Sequence, residues 1–169
     1  MKNGNSLLKN AELNILRNKK MERYKIIPSV YLILIDNNKT LLSRRFQTGF
    51  EDGNYGLTSG HAEEKETMRE ALSREVSEEI GININPLDLI YSLTMHRSCG
   101  DHERIDFFFT ADKYEGEIKN MEPNKCDDLS WFPVDQLPEN TIPYIRKAID
   151  CHLRGIKYCE FGWEESCGK

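Results

Sequence analysis

The chain has 169 residues, of which 38% are hydrophobic and 30% charged, with a net charge of −5. That length suits one ordinary domain with its own core, and excludes a multi-domain machine or a disulfide mini-protein. The acidic balance lacks the basic face that a nucleic-acid polymer requires, whereas a small phosphorylated ligand held through a metal remains compatible.

Residues 1–22 are rich in Asn and Lys and lack aromatic residues. They read as an N-terminal extension, either loosely attached with Met21 as the true start, or carrying a short amphipathic helix on Leu8, Ala11 and Ile15. From Tyr24 the pattern is β. Ile26 to Ile35 predicts a strand, Asp36-Asn37-Asn38 a turn, and Thr40 to Arg45 the partner strand of a hairpin. A Gly-rich loop follows from Gly49 to Gly56, then an extended piece, Leu57 to Gly60. Glu66 to Ile80 has no Pro or Gly, and Met68, Leu72, Val76 and Ile80 recur every fourth position, which predicts a helix with one buried face. Gly81 stands where a left-handed cap is wanted. Leu87 to Met95, Ile105 to Ala111 and Asp128 to Pro133 predict strands. Thr141 to Leu153 predicts a second helix with Pro143 in its first turn. Phe107 to Phe109 and Trp131 read as core. The expected boundaries are 1–22 for the extension, 23–160 for the domain and 161–169 for a tail.

Five cysteines without a C-x-x-C pair fit a reducing compartment better than a disulfide framework. The longest apolar run, Val30 to Ile35, is far short of the roughly 20 residues of a membrane span. The N-terminus has no apolar stretch of the secretory kind. The expectation is a cytoplasmic protein, monomer or homodimer, with no membrane and no nucleic-acid polymer as partner.

The chemistry concentrates between Gly60 and Ile82. On a helical wheel Glu75, Glu78 and Glu79 fall within an arc of roughly 100°. Three such carboxylates repel one another, more so on burial, unless a divalent cation joins them. Hard oxygen donors select Mg²⁺, or Mn²⁺, which typically bridges carboxylates to substrate phosphates. The alternative is a solvated acidic helix face.

The spacing Gly60-x5-Glu66-x7-Arg74-Glu75-Val76-x-Glu78-Glu79-x-Gly81-Ile82 covers 23 residues and resembles the Nudix box at every fixed position. The resemblance implies an α/β fold, an α/β/α sandwich around a mixed sheet, and hydrolysis of a nucleoside diphosphate linked to another group X. It implies Glu75, Glu78 and Glu79 as metal ligands, and Glu66 paired with Arg74 to hold the loop on the helix. Gly116-Glu117 resembles the Gly-Glu of MutT-like members, which adds Glu117 as a further metal ligand. Thr58-Ser59-Gly60 departs from the usual Pro-containing entry to the box, but the Ser59 carbonyl still stands where a metal is faced. By the same likeness Arg45 contacts nucleotide, and Pro138-Glu139-Asn140 places Asn140 on a purine edge; the alternatives are a solvated strand end and a helix cap.

Hydrolysis of a pyrophosphate bond requires charge neutralisation, an in-line water and a base. Glu75 or Glu78 is expected as base, with His96, Asp101 or Glu103 on a Thr94–Arg104 loop as alternatives; His96 otherwise reads as a surface residue. Arg97 and Arg104, flanking that loop, are expected on terminal phosphates. The leading expectation is a MutT-like nucleoside triphosphate pyrophosphohydrolase that releases a monophosphate and pyrophosphate. Hydrolysis of a nucleotide sugar, ADP-ribose or a dinucleoside polyphosphate is the second reading, and a non-catalytic binding module the third.

Overall fold

A computed structural model describes residues 24–163. The helix considered on Leu8, Ala11 and Ile15 lies outside the described residues, as do residues 164–169 of the tail. In chain order the strands are β1 (Ile27–Leu32), β2 (Ile35–Asp36), β3 (Lys39–Arg45), β4 (Tyr55–Gly56), β5 (Ser59–His61), β6 (Ile82–Asn83), β7 (Ile90–Ser98), β8 (Glu103–Thr110), β9 (Glu115–Gly116), β10 (Cys126–Pro133) and β11 (Tyr158–Phe161). Helix α1 (Met68–Ile80) lies between β5 and β6, and α2 (Pro143–Leu153) between β10 and β11.

The organising strand is β1. It is apolar on both faces, as a strand covered on both sides must be. Val30 and Leu32 pack with Ala71, Leu72, Val76 and Ile80 of α1, while Tyr31 packs with Ile145, Ala148 and Ile149 of α2. Neighbouring Phe108 and Phe109 divide between the same two cores. The helices therefore cover opposite faces of a mixed sheet ordered β11-β7-β8-β1-β5, in which β1 and β8 run parallel, as do β7 and β11. This is the α/β/α sandwich expected. A second, antiparallel sheet is ordered β10-β3-β2, with β4 also paired to β3.

The expected hairpin is shorter than its apolar run. The chain leaves β1 after Leu32, and only Ile35 and Asp36 pair back onto Thr40 and Lys39. Asn37 and Asn38 both have positive φ, 46° and 61°, as a two-residue hairpin turn requires. A strand apolar on both faces buries more as the centre of two layers than as one arm of a hairpin, so β1 joins the five-stranded sheet.

Helix α1 begins two residues later than expected. Thr67 and Glu70 form a capping box, and Gly81 closes the helix at φ 74°. Pro143 opens α2. A 3₁₀ turn at Pro86–Asp88, capped by Asn85, delays β7 to Ile90. The expected loop from Thr94 to Arg104 is mostly strand. The β7–β8 ladder continues through Arg97 opposite Arg104 and Ser98 opposite Glu103, which leaves only residues 99–102 to turn. Polar residues at a strand end that outlasts the core carry no apolar alternation, so the sequence looked like loop. Four short strands had no counterpart in the pattern: β4 within the expected Gly-rich loop, the paired β6 and β9, and the edge strand β11. Among the described residues, no helix is long and apolar enough to cross a membrane.

At the edge of the α2-side core a charge pair is buried. Arg97 is 5% exposed and Asp106 is fully buried. Arg97 Nε donates to Asp106 Oδ2 at 2.6 Å, its Nη2 reaches Tyr31 Oη at 3.4 Å, and the guanidinium lies 3.8 Å from the Tyr144 ring centroid. Taking one partner from a buried pair leaves an uncompensated charge, at about 3–5 kcal/mol. Arg97→Leu is therefore expected to lose about that much in urea unfolding, and Arg97→Leu with Asp106→Leu to lose clearly less. A double variant as unstable as the single one would show that the pair is not the source of the loss.

Candidate active site

The loop after β5 and helix α1 are joined by one guanidinium. Arg74 Nε and Nη2 donate to the two oxygens of Glu66, each at 3.1 Å. Its Nη1 donates to Glu75 at 2.8 Å and to Glu78 at 3.3 Å, and Nη2 also reaches the His61 carbonyl at 3.2 Å. The loop approaches the helix so closely at Gly60 that an added Cβ would collide with the Glu75 carboxylate. Any larger residue there would displace the Glu75 carboxylate from its place.

Glu75, Glu78 and Glu79 line one wall of a cleft of about 980 Å³. Their environments differ. Glu78 is 55% exposed at the side chain. Glu75 is raised above the usual carboxylate range by burial, against the opposing effect of Arg74. Glu79 is half-buried; loss of solvent pushes its carboxyl up to about 8, and among the described residues the one hydrogen bond it accepts comes from the Ser59 N–H at 3.2 Å. Glu66, bound by Arg74, is held below its ordinary value. Among the described residues, no three His, Cys, Asp or Glu side chains form a ready-made ligand cage. Arg74 Nη1 instead stands between two of the carboxylates. The set nonetheless fits Mg²⁺ or Mn²⁺ in its chemistry: Glu75, Glu78 and Glu79 present hard carboxylate oxygens to one cleft, and among the described residues Glu79 has no ion-pair partner.

The remaining expected residues are placed unevenly. Ser59 lines the cleft beside Gly60. Arg45 also lines it, with Nε on the Phe50 carbonyl at 2.7 Å and Nη2 on Thr48 at 3.1 Å. Its neighbour Arg44 is spent on Asp127 at 2.7 Å. Arg97 reaches the floor of the cleft, but its donors go to Asp106, Tyr31 and Cys99. Arg104 lines the cleft and bonds His61 and His102.

Three expectations are corrected. His96 does not line the cleft; it alternates with Arg97 along β7, bonds Glu103 at 3.0 Å and packs against Trp163, so it and Glu103 are poor candidates for the base. Asn140 is not the helix cap and is not among the residues that line the cleft. Its Nδ2 donates to the Gly53 carbonyl at 2.7 Å, outside the cleft, while Ile142 occupies the cap position of α2. Glu117 is 78% exposed, paired with Lys119 at 2.7 Å and absent from the cleft wall. The physical reason is the β6–β9 pairing. It lays the chain along the end of α1, with Lys119 N on Ile80 O and Met121 N on Glu79 O, and so carries Glu122 rather than Glu117 to the cleft.

Glu122 and its partner Lys125, 2.7 Å apart, were missed, as were His61 and Phe50. Glu122 follows no spacing rule, because a two-residue ladder sets its place. His61, next to the box glycine, was the one legible signal.

A NUDIX domain model matches residues 25–150, and the chain belongs to the Nudix family. NAD-capped RNA hydrolases NudC are similar to it: that of Stutzerimonas stutzeri is 29% identical over 114 residues, and that of Pseudomonas entomophila 32% over 117, each covering 68% of this chain and 39% of the relative. The chain thus spans about two-fifths of these curated relatives. An oxidized purine nucleoside triphosphate hydrolase of Danio rerio is 29% identical over 110 residues, 63% of this chain and 66% of the relative. The solved MutT NUDIX hydrolase from Burkholderia pseudomallei superposes with a TM-score of 0.68 at 23% identity, covering 75% of this chain and 97% of the other.

The raised Glu79 carboxyl has a stability consequence. The folded state keeps a proton up to about pH 8 that the unfolded state releases near the ordinary value of 4.5. The folded state then binds more protons between these values, so stability falls as pH rises through that window. In chelator-treated protein the melting temperature should drop from pH 5 to pH 8. Glu79→Gln should flatten that drop and melt higher than wild type at pH 8. Parallel pH curves for the two proteins would refute the half-buried, unpaired carboxylate.

Proposed function

We propose that the protein is a divalent-metal-dependent hydrolase of the pyrophosphate bond in a nucleoside diphosphate linked to X. The observation that carries this reading is the convergence of Glu75, Glu78 and the half-buried Glu79 on one cleft wall. The residues that would hold Mg²⁺ or Mn²⁺ are these three, with the Ser59 carbonyl and Glu122 beside them. Bound there, the metal supplies neutralisation of phosphate charge and a lowered pKa for water. Glu75 is the base we favour. Burial raises it, and Arg74 engages only its Oε1, which leaves the other oxygen to take a proton from an in-line water. The water oxygen bonds to phosphorus, the bridging P–O bond breaks, and the leaving phosphate carries away the electron pair. Arg74 and Glu66 act as positioning residues.

A nucleoside triphosphate is the first substrate we assign, giving a monophosphate and pyrophosphate. The net charge of −5 favours a small nucleotide over a polymer. A dinucleotide is the second reading, for which the cleft of about 980 Å³ has room; the NudC relatives are named for NAD-capped RNA. Asn140, outside the cleft, gives no support to base recognition.

Release of nucleoside monophosphate should be screened over nucleoside triphosphates, nucleotide sugars and dinucleotides, with Mg²⁺ and with chelator. Turnover should require the metal. Glu78→Gln and Glu79→Gln should each lower kcat at least about a hundredfold while the circular dichroism spectrum stays unchanged. Near-normal turnover in either folded variant would remove that glutamate from the metal site.

A further inference from the structure

Most cations around the cleft are already committed. Arg74 is bound by Glu66, Arg97 by Asp106, and Lys125 by Glu122. Arg45 is clamped onto the carbonyl and hydroxyl of its own loop, and its guanidinium lies 5.4 Å from the Phe50 ring centroid. Arg104, like Arg45, has no ion-pair partner among the described residues, but the side chains that hold it come from three separate segments. Its Nε bonds His102 Nε2 at 3.1 Å, and its Nη1 bonds His61 Nε2 at 3.0 Å and Ser29 Oγ at 3.3 Å. None of the three partners is a carboxylate. For each imidazole, the nitrogen facing Arg104 must be the one without a proton, and His102 meets this by turning Nδ1 to Asp101 at 2.6 Å. The guanidinium is thus fixed on three sides without being neutralised. Among the described residues, no carboxylate stands within ion-pair distance of Arg104, and Nη2 makes no hydrogen bond.

The position matters as much as the charge. His61 directly follows Gly60, the residue in contact with Glu75. Successive residues of a strand face opposite ways, so Gly60 turns to Glu75 and His61 to Arg104, while the glutamates and Arg104 line the same cleft. A substrate whose phosphates sit at the glutamates can present a further anion to Arg104 within that cleft. A neutral sugar placed there would leave the guanidinium without a counter-ion.

We propose that Arg104, oriented by His61, His102 and Ser29, is the anion acceptor for the group X, and that it makes this cleft prefer nucleoside diphosphates whose X is negatively charged. The inference rests on the pyrophosphohydrolase reading above and assigns its specificity to one side chain. Arg104 touches substrate, whereas the two histidines position it.

The test compares guanosine triphosphate, in which X is a phosphate, with guanosine diphosphate glucose, in which X is an uncharged sugar. For Arg104→Gln the ratio of kcat/KM, triphosphate over nucleotide sugar, should fall about thirtyfold, chiefly through KM for the triphosphate. Arg104→Lys, which keeps the charge and loses the fork, should recover part of the loss. Equal losses on both substrates would overturn the proposal. A separate titration keeps it decidable if the catalytic reading fails and neither substrate is cleaved. Inorganic tripolyphosphate, titrated calorimetrically into the protein with Mg²⁺ present, should bind about tenfold more weakly to Arg104→Gln than to wild type. Unchanged binding would overturn the anion site even if the hydrolase reading stands.

Discussion

The site depends on one guanidinium among too many carboxylates. Arg74 touches Glu66, Glu75, Glu78 and the backbone of His61 at once. It fixes the loop against the helix through Glu66, and it relieves the repulsion among the helix glutamates through its other end. A lysine offers a point charge and cannot hold a loop carboxylate in a fork while also reaching two helix carboxylates. The contact of Gly60 with Glu75 accompanies that clamp, since the loop lies so near the helix that a Cβ at Gly60 would displace the Glu75 carboxylate. Glu79 is the carboxylate that Arg74 does not reach, and it is also the most strongly perturbed.

The rest of the fold serves to bring three further walls to this clamp. β1 places β5 on one side and β8 on the other, so Ser59 to His61 and Arg104 meet across it. The alternation of β1 sends Val30 to the core under α1 and Tyr31 to the floor of the cleft, where its hydroxyl meets Arg97. The second sheet supplies Arg45 and the Thr48–Phe50 loop. That loop is rigidly specified by its own bonds: Asp52 accepts from Thr48 N at 2.9 Å and from Gly49 N at 2.9 Å, and Gln47 and Glu51 adopt positive φ, 53° each. Left-handed residues that are not glycine persist only where the surroundings over-determine them.

The parts legible in the sequence are those set by local periodicity. The 3.6-residue repeat of Leu72, Val76 and Ile80 gave α1, Gly81 gave its end, and Pro143 gave the start of α2. The fixed spacing from Gly60 to Ile82 was enough for the glutamate wall and the Glu66–Arg74 pair. What failed depended on pairing between distant segments. Glu117 was chosen because a glycine preceded it, but the two-residue ladder of β6 with β9 decides which carboxylate turns inward, and it selects Glu122. His96 and Arg97 are adjacent in sequence and face opposite sides of a sheet, which a loop assignment could not reveal. Asn140 sits two residues before the cap of α2, close enough to suggest a cap, yet its amide is used to hold Gly53.

The energetic logic of the cleft is that of a charge arrangement left incomplete on both sides. On the acidic wall, Glu79 is half-buried with a single N–H donor, and protonation is how the metal-free protein avoids burying its charge. On the opposite side, Arg104 cannot take the corresponding route, because a guanidinium does not lose its proton at any working pH. It is solvated instead by two imidazoles and a hydroxyl, which hold its direction and leave its charge intact. The two walls cannot neutralise each other directly: had Arg104 been paired with a glutamate of the box, both the cation site and the anion site would have vanished together. On the proposed reading, unmatched charge of both signs in one cleft is what would let it take a metal at the glutamates and an anion at Arg104, each arrival supplying the partner that the other wall does not.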